Sequence, residues 1–201
     1  MCLSKKYFIL LILLFFPFLF AGQNYYMRGG GVAETTCQTY DSETTAESSI
    51  SVGQSADRAI LGQSGYVPSA NSEVCQIDFN IYTIVGDISG VDYVARIYNM
   101  SGTSLGDDPT GCCTSAPQKI TGLGWHSSAK FTGLSCQLVT TGSYGIVIMR
   151  ADNSYDVNNY INVMTKGTNG ALSGNAVRWQ QNLTIGAALV NDVTIIISTQ
   201  Q

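Results

Sequence analysis

The chain has 201 residues, 21 of them Gly and 11 Tyr, with only 12% charged residues, one histidine (His126) and a net charge of -4. That length suits one domain; the scarcity of Glu, Lys and Arg excludes an all-helical fold, and the acidic balance leaves no basic field for nucleic acid. The polar surface must come from Ser, Thr, Asn, Gln and Gly, as in exposed β proteins.

Residues 1–23 read as a secretory signal peptide. Lys5 and Lys6 precede an apolar run from Tyr7 to Phe20, and the small residues Ala21 and Gly22 follow. The run contains Pro17 and is shorter than the roughly 20 residues that span a bilayer. No cysteine follows it directly, which argues against a lipid-modified terminus. The mature protein is therefore expected outside the cell or on its surface, with no membrane attachment.

Residues 24–55 are rich in Thr, Ser, Glu and Gly and poor in large apolar side chains. Such a segment has too little apolar surface to build a core, so it reads as an extended N-terminal arm or a peripheral edge strand. From residue 56 onward, β-branched and aromatic runs alternate with Gly, Asn, Asp and Ser clusters. Eight strands are expected: Ala59 to Tyr66, Val74 to Val85, Tyr93 to Met100, Ser128 to Leu134, Ser143 to Arg150, Tyr160 to Thr165, Ala176 to Gln181 and Leu189 to Ser198. In the second of these, Cys75, Ile77, Phe79 and Ile81 alternate with Gln76, Asp78, Asn80 and Tyr82, the period of a strand with one wet face. Tyr144 to Met149 is apolar on both faces and should be central. No helix longer than one turn and no internal repeat is evident, so the fold class is all-β, a single antiparallel β-sandwich over residues 56–201.

Export permits disulfides, and five cysteines follow the leader: Cys37, Cys75, Cys112, Cys113 and Cys136. A bridge from Cys112 or Cys113 to Cys136 closes a loop of about 24 residues, worth roughly 3 kcal/mol. Cys37 with Cys75 is the natural second bridge. The odd cysteine is expected to remain a free thiol or to pair with another chain. Neither paired C-x-x-C spacing nor histidine ligands exist for zinc.

The order Leu61-Gly-Gln-Ser-Gly-Tyr, Cys75-Gln-Ile-Asp-Phe-Asn-Ile-Tyr, Val94-Ala-Arg-Ile-Tyr-Asn, a Gly/Pro-rich excursion, Thr141-Gly-Ser-Tyr-Gly-Ile-Val-Ile and Asp192-Val-Thr-Ile-Ile-Ile resembles the jelly-roll-like β-sandwich domains of secreted bacterial and phage-borne surface proteins. The resemblance covers Asp57 to Ser198. It implies an architecture like that of carbohydrate-binding modules and carries no catalytic motif.

Chemistry has few footholds. His126 is the only imidazole, and Ser127 and Ser128 are too close to it in sequence for a convincing triad; no G-x-S-x-G turn is present. Glycoside hydrolysis needs two facing carboxylates, yet Glu73 is the only glutamate beyond the arm, and the aspartates sit mainly in turns. No catalytic residue is assigned and no cofactor is expected. Asp152 and Asp156 in Asp152-Asn-Ser-Tyr-Asp-Val-Asn-Asn are weak calcium candidates, because hard cations take carboxylate and amide oxygens; the EF-hand glycine and closing glutamate are missing. Trp125, Tyr155, Tyr160 and Trp179 are candidate sugar-stacking rings, each equally suited to plugging a core. Asn99-Met-Ser and Asn182-Leu-Thr are sequons.

These features lead to the expectation of a secreted, non-enzymatic structural or surface protein. It would assemble with copies of itself, or with other surface proteins, through strand addition by its arm. The alternative is a carbohydrate-binding or adhesive module with glycan partners.

Overall fold

The computed structural model describes residues 36–167, 172–189 and 192–200; the leader expected over 1–23 and the first part of the arm lie outside them. These residues form strands β1 (Cys37–Glu43), β2 (Ser48–Val52), β3 (Ile60–Tyr66), β4 (Ser72–Phe79), β5 (Ile81–Val85), β6 (Tyr93–Ser101) and β7 (Ser104–Leu105). The chain continues with β8 (Lys130–Leu138), β9 (Tyr144–Arg150), β10 (Tyr160–Lys166), β11 (Asn175–Trp179), β12 (Ile185–Ala188), β13 (Asp192–Val193) and β14 (Ile195–Gln200). Pairing is antiparallel throughout. One sheet runs β1-β14-β4-β8, and a six-stranded sheet runs β12-β11-β3-β9-β6-β7. In a third, smaller sheet β10 carries β2 on one edge and β5 followed by β13 on the other. The fold is an all-β sandwich.

The apolar alternation places the core between the sheets. Ile77, Phe79, Phe131, Ile195 and Ile197 from the first sheet meet Leu61, Ile97, Ile146 and Ile148 from the six-stranded sheet and Ile161 and Val163 from β10. Phe79 and Phe131 pack edge to face at 5.9 Å. Strand β9 is buried at every position and lies between β3 and β6, the central place its two apolar faces predict. Its second face belongs to a separate cluster of Ile60, Val94, Tyr98, Leu105, Val147, Met149, Val177 and Trp179.

Two runs expected as single strands each divide at one polar residue. Val74 to Val85 breaks at Asn80 into β4 and β5, and Leu189 to Ser198 breaks at Thr194 into β13 and β14. Each run therefore serves two sheets, as corner strands of sandwiches do. The corner is closed by backbone bonds. Asn80 N–H donates to the Thr194 carbonyl (3.4 Å), Met164 N–H to the Asn80 carbonyl (2.8 Å) and Thr194 N–H to the Met164 carbonyl (3.1 Å). Periodicity is blind to such a corner, because both halves keep the apolar alternation.

The Gly62-Gln63-Ser64 stretch acts as a seam. A Cβ at position 62 would lie 2.1 Å from the Ile146 carbonyl oxygen of β9, so only glycine fits there. Gln63 is wholly buried. Its amide nitrogen donates to Asp192 Oδ1 (2.8 Å) and to the Ser173 carbonyl (3.1 Å), and its amide oxygen accepts from Val193 N–H (3.1 Å). One side chain thus joins the six-stranded sheet to β13.

Of the segment expected as an extended arm or a peripheral edge strand, residues 37–43 and 48–52 pair into the sheets. Strand β1 is an edge strand on β14, and β2 pairs with β10; its apolar content is low because an edge needs only one covered face. The Cys37–Cys75 bridge clamps the start of β1 to β4, and Cys113–Cys136 forms as the second bridge, choosing Cys113 over Cys112. Cys112 is also disulfide-bonded, and no free cysteine occurs among the described residues, which corrects the expectation of a leftover thiol. The wet face expected for β4 is also covered in part, for Asp78 is 5% exposed. Burial raises its carboxyl pKa, opposed by a hydrogen bond from Gln76 and the charge of Lys130, 3.8 Å away.

Candidate functional site

The aromatic candidates do not converge. Trp179 is fully buried in the second cluster, where its indole N–H donates to the Thr103 carbonyl at 3.1 Å. It is a core plug, and the expectation of a stacking platform is corrected there. Trp125 is half-buried, in a turn whose Gly124 bridges Ile81. Tyr155 is 46% exposed at the tip of the 152–159 loop, and Tyr160 is half-buried at the start of β10. Of the four, Tyr160 lines the groove described below.

The polar loop turns inward on itself. Asp152 Oδ1 accepts from Ser154 N–H and its Oδ2 from the Ser154 hydroxyl, while Asp156 accepts from Asn158 N–H and the Asn159 amide. For Asp152, burial acts to raise the carboxyl pKa, but the Ser154 bonds and the charge of Arg150 hold it below the ordinary range. Asp156 is held low by the Asn159 and Asn158 bonds. Among the described residues no group of three or more His, Cys, Asp or Glu stands ready for a metal. His126 caps the short turn Ser127–Ala129, its Nδ1 accepting from Ser128 N–H (3.1 Å) and lying 2.8 Å from Ser128 Oγ. That Oγ also accepts from Thr121 N–H. The pair is local and carries no carboxylate partner in these bonds.

A different set of residues does converge. A groove of about 370 Å³ is lined by Ser48, Ser49, Ile50 and Ser51 of β2, Gln54, Arg58, Tyr160 and Asn162 of β10, Arg178 of β11, and Leu189. Its volume is within the size range of small-ligand sites. The local fold explains the lining. In β10, Tyr160 and Asn162 occupy the face opposite to the buried Ile161 and Val163, and Asn162 pairs with Ser51 in register. The 53–58 turn is tied by Gly53 N–H to the Arg58 carbonyl (2.7 Å), which places Arg58 beside β2. Its guanidinium donates to Gln54 Oε1 (2.7 Å), which also accepts from the Ser51 hydroxyl (2.9 Å). Arg178 faces away from the buried Val177 and Trp179, and its Nε is buried without a protein partner. Among the described residues no carboxylate lines the groove, although the protein is acidic; neighbouring Asp57 bonds to Gln180 instead.

Sequence reasoning passed over Arg58 and Arg178 because each stands alone in the chain. One signal was available: a lone cation inside the apolar strand Ala176-Val177-Arg178-Trp179 needs a reason to be there. Among the described residues no helix is long and apolar enough to cross a membrane. Compared with models of protein families, with curated proteins and with solved structures, the chain matches none.

Proposed function

We propose that this chain is an exported, non-enzymatic binding module that acts at the cell surface or in the extracellular space by taking up saccharide. The observation that carries the reading is the groove beside Arg58 and Arg178, where hydroxyl, amide and guanidinium groups surround a half-buried tyrosine. Sugar recognition uses this mixture, with an aromatic face for the ring and hydrogen-bonding groups for the hydroxyls. Export is supported by the leader pattern of residues 1–23 and by the intramolecular disulfides. A binding role without catalysis is supported by the carboxylates of the 152–159 loop and by His126, whose polar atoms serve local turns.

Self-assembly by strand addition has less support. Residues 37–43 and 48–52 pair within the chain, and a bulge between Thr39 and Asp41 interrupts β1. Asp41 also accepts from Ser42 N–H on that strand. Bulges and edge charges are the devices by which proteins prevent edge pairing.

The test is a glycan array probed with the secreted protein, accompanied by size-exclusion chromatography across concentrations. Saccharide hits that weaken on Tyr160→Ala are expected, with a monomer profile. A folded protein that binds no glycan rejects the module, and a concentration-dependent oligomer restores the assembly reading.

A further inference from the structure

Building on the saccharide-binding reading, we propose that the groove selects anionic saccharides, sugars bearing a carboxylate or sulfate group, and that Arg58 and Arg178 are the residues that select them. Three observations meet here. The first is charge: in a chain of net charge -4, two arginines line one groove that has no carboxylate among the described residues of its lining. Three other described cations stand beside a carboxylate, Lys130 by Asp78, Arg150 by Asp152 and Lys166 by Glu43, while Arg96 and Lys119 bond to the Tyr98 hydroxyl and the Ser89 carbonyl. The second is the orphaned donor. Arg178 Nε is buried with no protein acceptor, a desolvation cost that a ligand oxygen removes on binding. The third is the pre-set partner. Arg58 is held on Gln54 through Nη1, which orients an exposed guanidinium whose remaining N–H groups are available for an anion.

A guanidinium fork matches two oxygens of a carboxylate or sulfate, and this geometry discriminates charged from neutral sugars far better than hydroxyl contacts do. Ser49, Ser51, Gln54 and Asn162 line the groove with neutral polar groups, of which the Ser51 hydroxyl already donates to Gln54 Oε1 and the Asn162 amide to Thr83 Oγ1, and Tyr160 offers an apolar surface. An acidic peptide laid along β2 is the competing occupant. The tyrosine and the two cations at one short groove favour a compact charged sugar over an extended chain.

The experiment is titration calorimetry of the secreted protein with four probes: galacturonate oligomers, a sulfated galactan, neutral galactan and a poly-glutamate peptide. Binding of galacturonate, the sulfated galactan or both is expected, weakening with added salt, with neutral galactan at least about tenfold weaker. Arg58→Gln and Arg178→Gln should each reduce acidic-sugar binding about tenfold, and Arg58→Lys should restore part of it. Arg58 is exposed, so its variant keeps the fold, which circular dichroism verifies. If neutral galactan binds as well as the acidic probes and the arginine variants are unchanged, the saccharide reading stands and the anionic selection falls. Binding to poly-glutamate alone overturns the proposal in favour of a peptide site. No binding to any probe by folded protein removes both readings together.

Discussion

The 152–159 loop and the groove beside Arg178 are built from the same kinds of polar residue, but their hydrogen bonds go to different places. In the loop, Asp152 and Asp156 accept from Ser154, Asn158 and Asn159, so the segment closes on its own backbone. In the groove, residues from β2, β10 and β11 meet, and Arg178 Nε is left without an acceptor. The two loop carboxylates are satisfied by neighbours within the same eight residues, whereas Arg178 Nε, brought in from a separate strand, is not. Polar composition therefore marks turns more readily than it marks sites.

The largest test of this contrast concerns what holds the groove in place. Trp179 follows Arg178 on β11 and fills the second cluster from the opposite face. Trp179→Ala should cost about 3–5 kcal/mol in urea unfolding, whereas Tyr155→Ala on the exposed loop should stay within about 0.5 kcal/mol. Comparable costs for the two would deny that the groove stands on a rigid strand and the loop does not.

Next in size is the seam. Gln63→Leu leaves buried Asp192 without its donor and Val193 N–H without its acceptor, and should destabilise by about 2–4 kcal/mol. A neutral outcome in the same unfolding measurement would show that the sheets are joined by other contacts.

Arg178→Met should not lower stability, since no protein group loses a hydrogen bond and the cost of the buried, unpartnered Nε is removed. A large loss would show that the cation serves the fold, and the distinction between groove and loop would collapse.

The smallest effect belongs to the loop. The bonds from Asn159 and Asn158 lower the folded pKa of Asp156 relative to the unfolded chain. Its stabilisation is then present above the unfolded value of about 3.9 and lost as pH falls through the folded value. Asp156→Asn should lower the melting midpoint slightly at pH 7, and the gap from wild type should close below about pH 4. Millimolar calcium should leave the wild-type midpoint unchanged, because the carboxylate oxygens of Asp152 and Asp156 already accept internal donors; a clear upward shift would make the loop a cation site after all.

Much of the molecule was legible from local pattern. The centrality of β9 follows from its two apolar faces, and β3, β6 and β10 begin and end within one or two residues of their expected bounds. Strand β8 runs on to Leu138, because Gly133 at φ +81° allows a bulge that keeps the pairing with β4 beyond the expected stop. The corners at Asn80 and Thr194 were not legible, since their partner is Met164, more than 80 residues from the first of them. Trp179 and Tyr160 look alike in the sequence, as aromatic rings at strand positions; one fills a core and the other lines a groove.

By itself the sequence determined the all-β class and the strand alternation, because these follow from residue type and spacing along the chain; the Cys37–Cys75 bridge was an expectation that the structure bears out. The choice of Cys113 over Cys112, the enrolment of residues 37–52 in the sheets and the meeting of Arg58 with Arg178 were decided only in three dimensions. Periodicity reports which face of a strand is buried. Which strands lie beside each other depends on long-range pairing and register, and a binding groove is made of such neighbours.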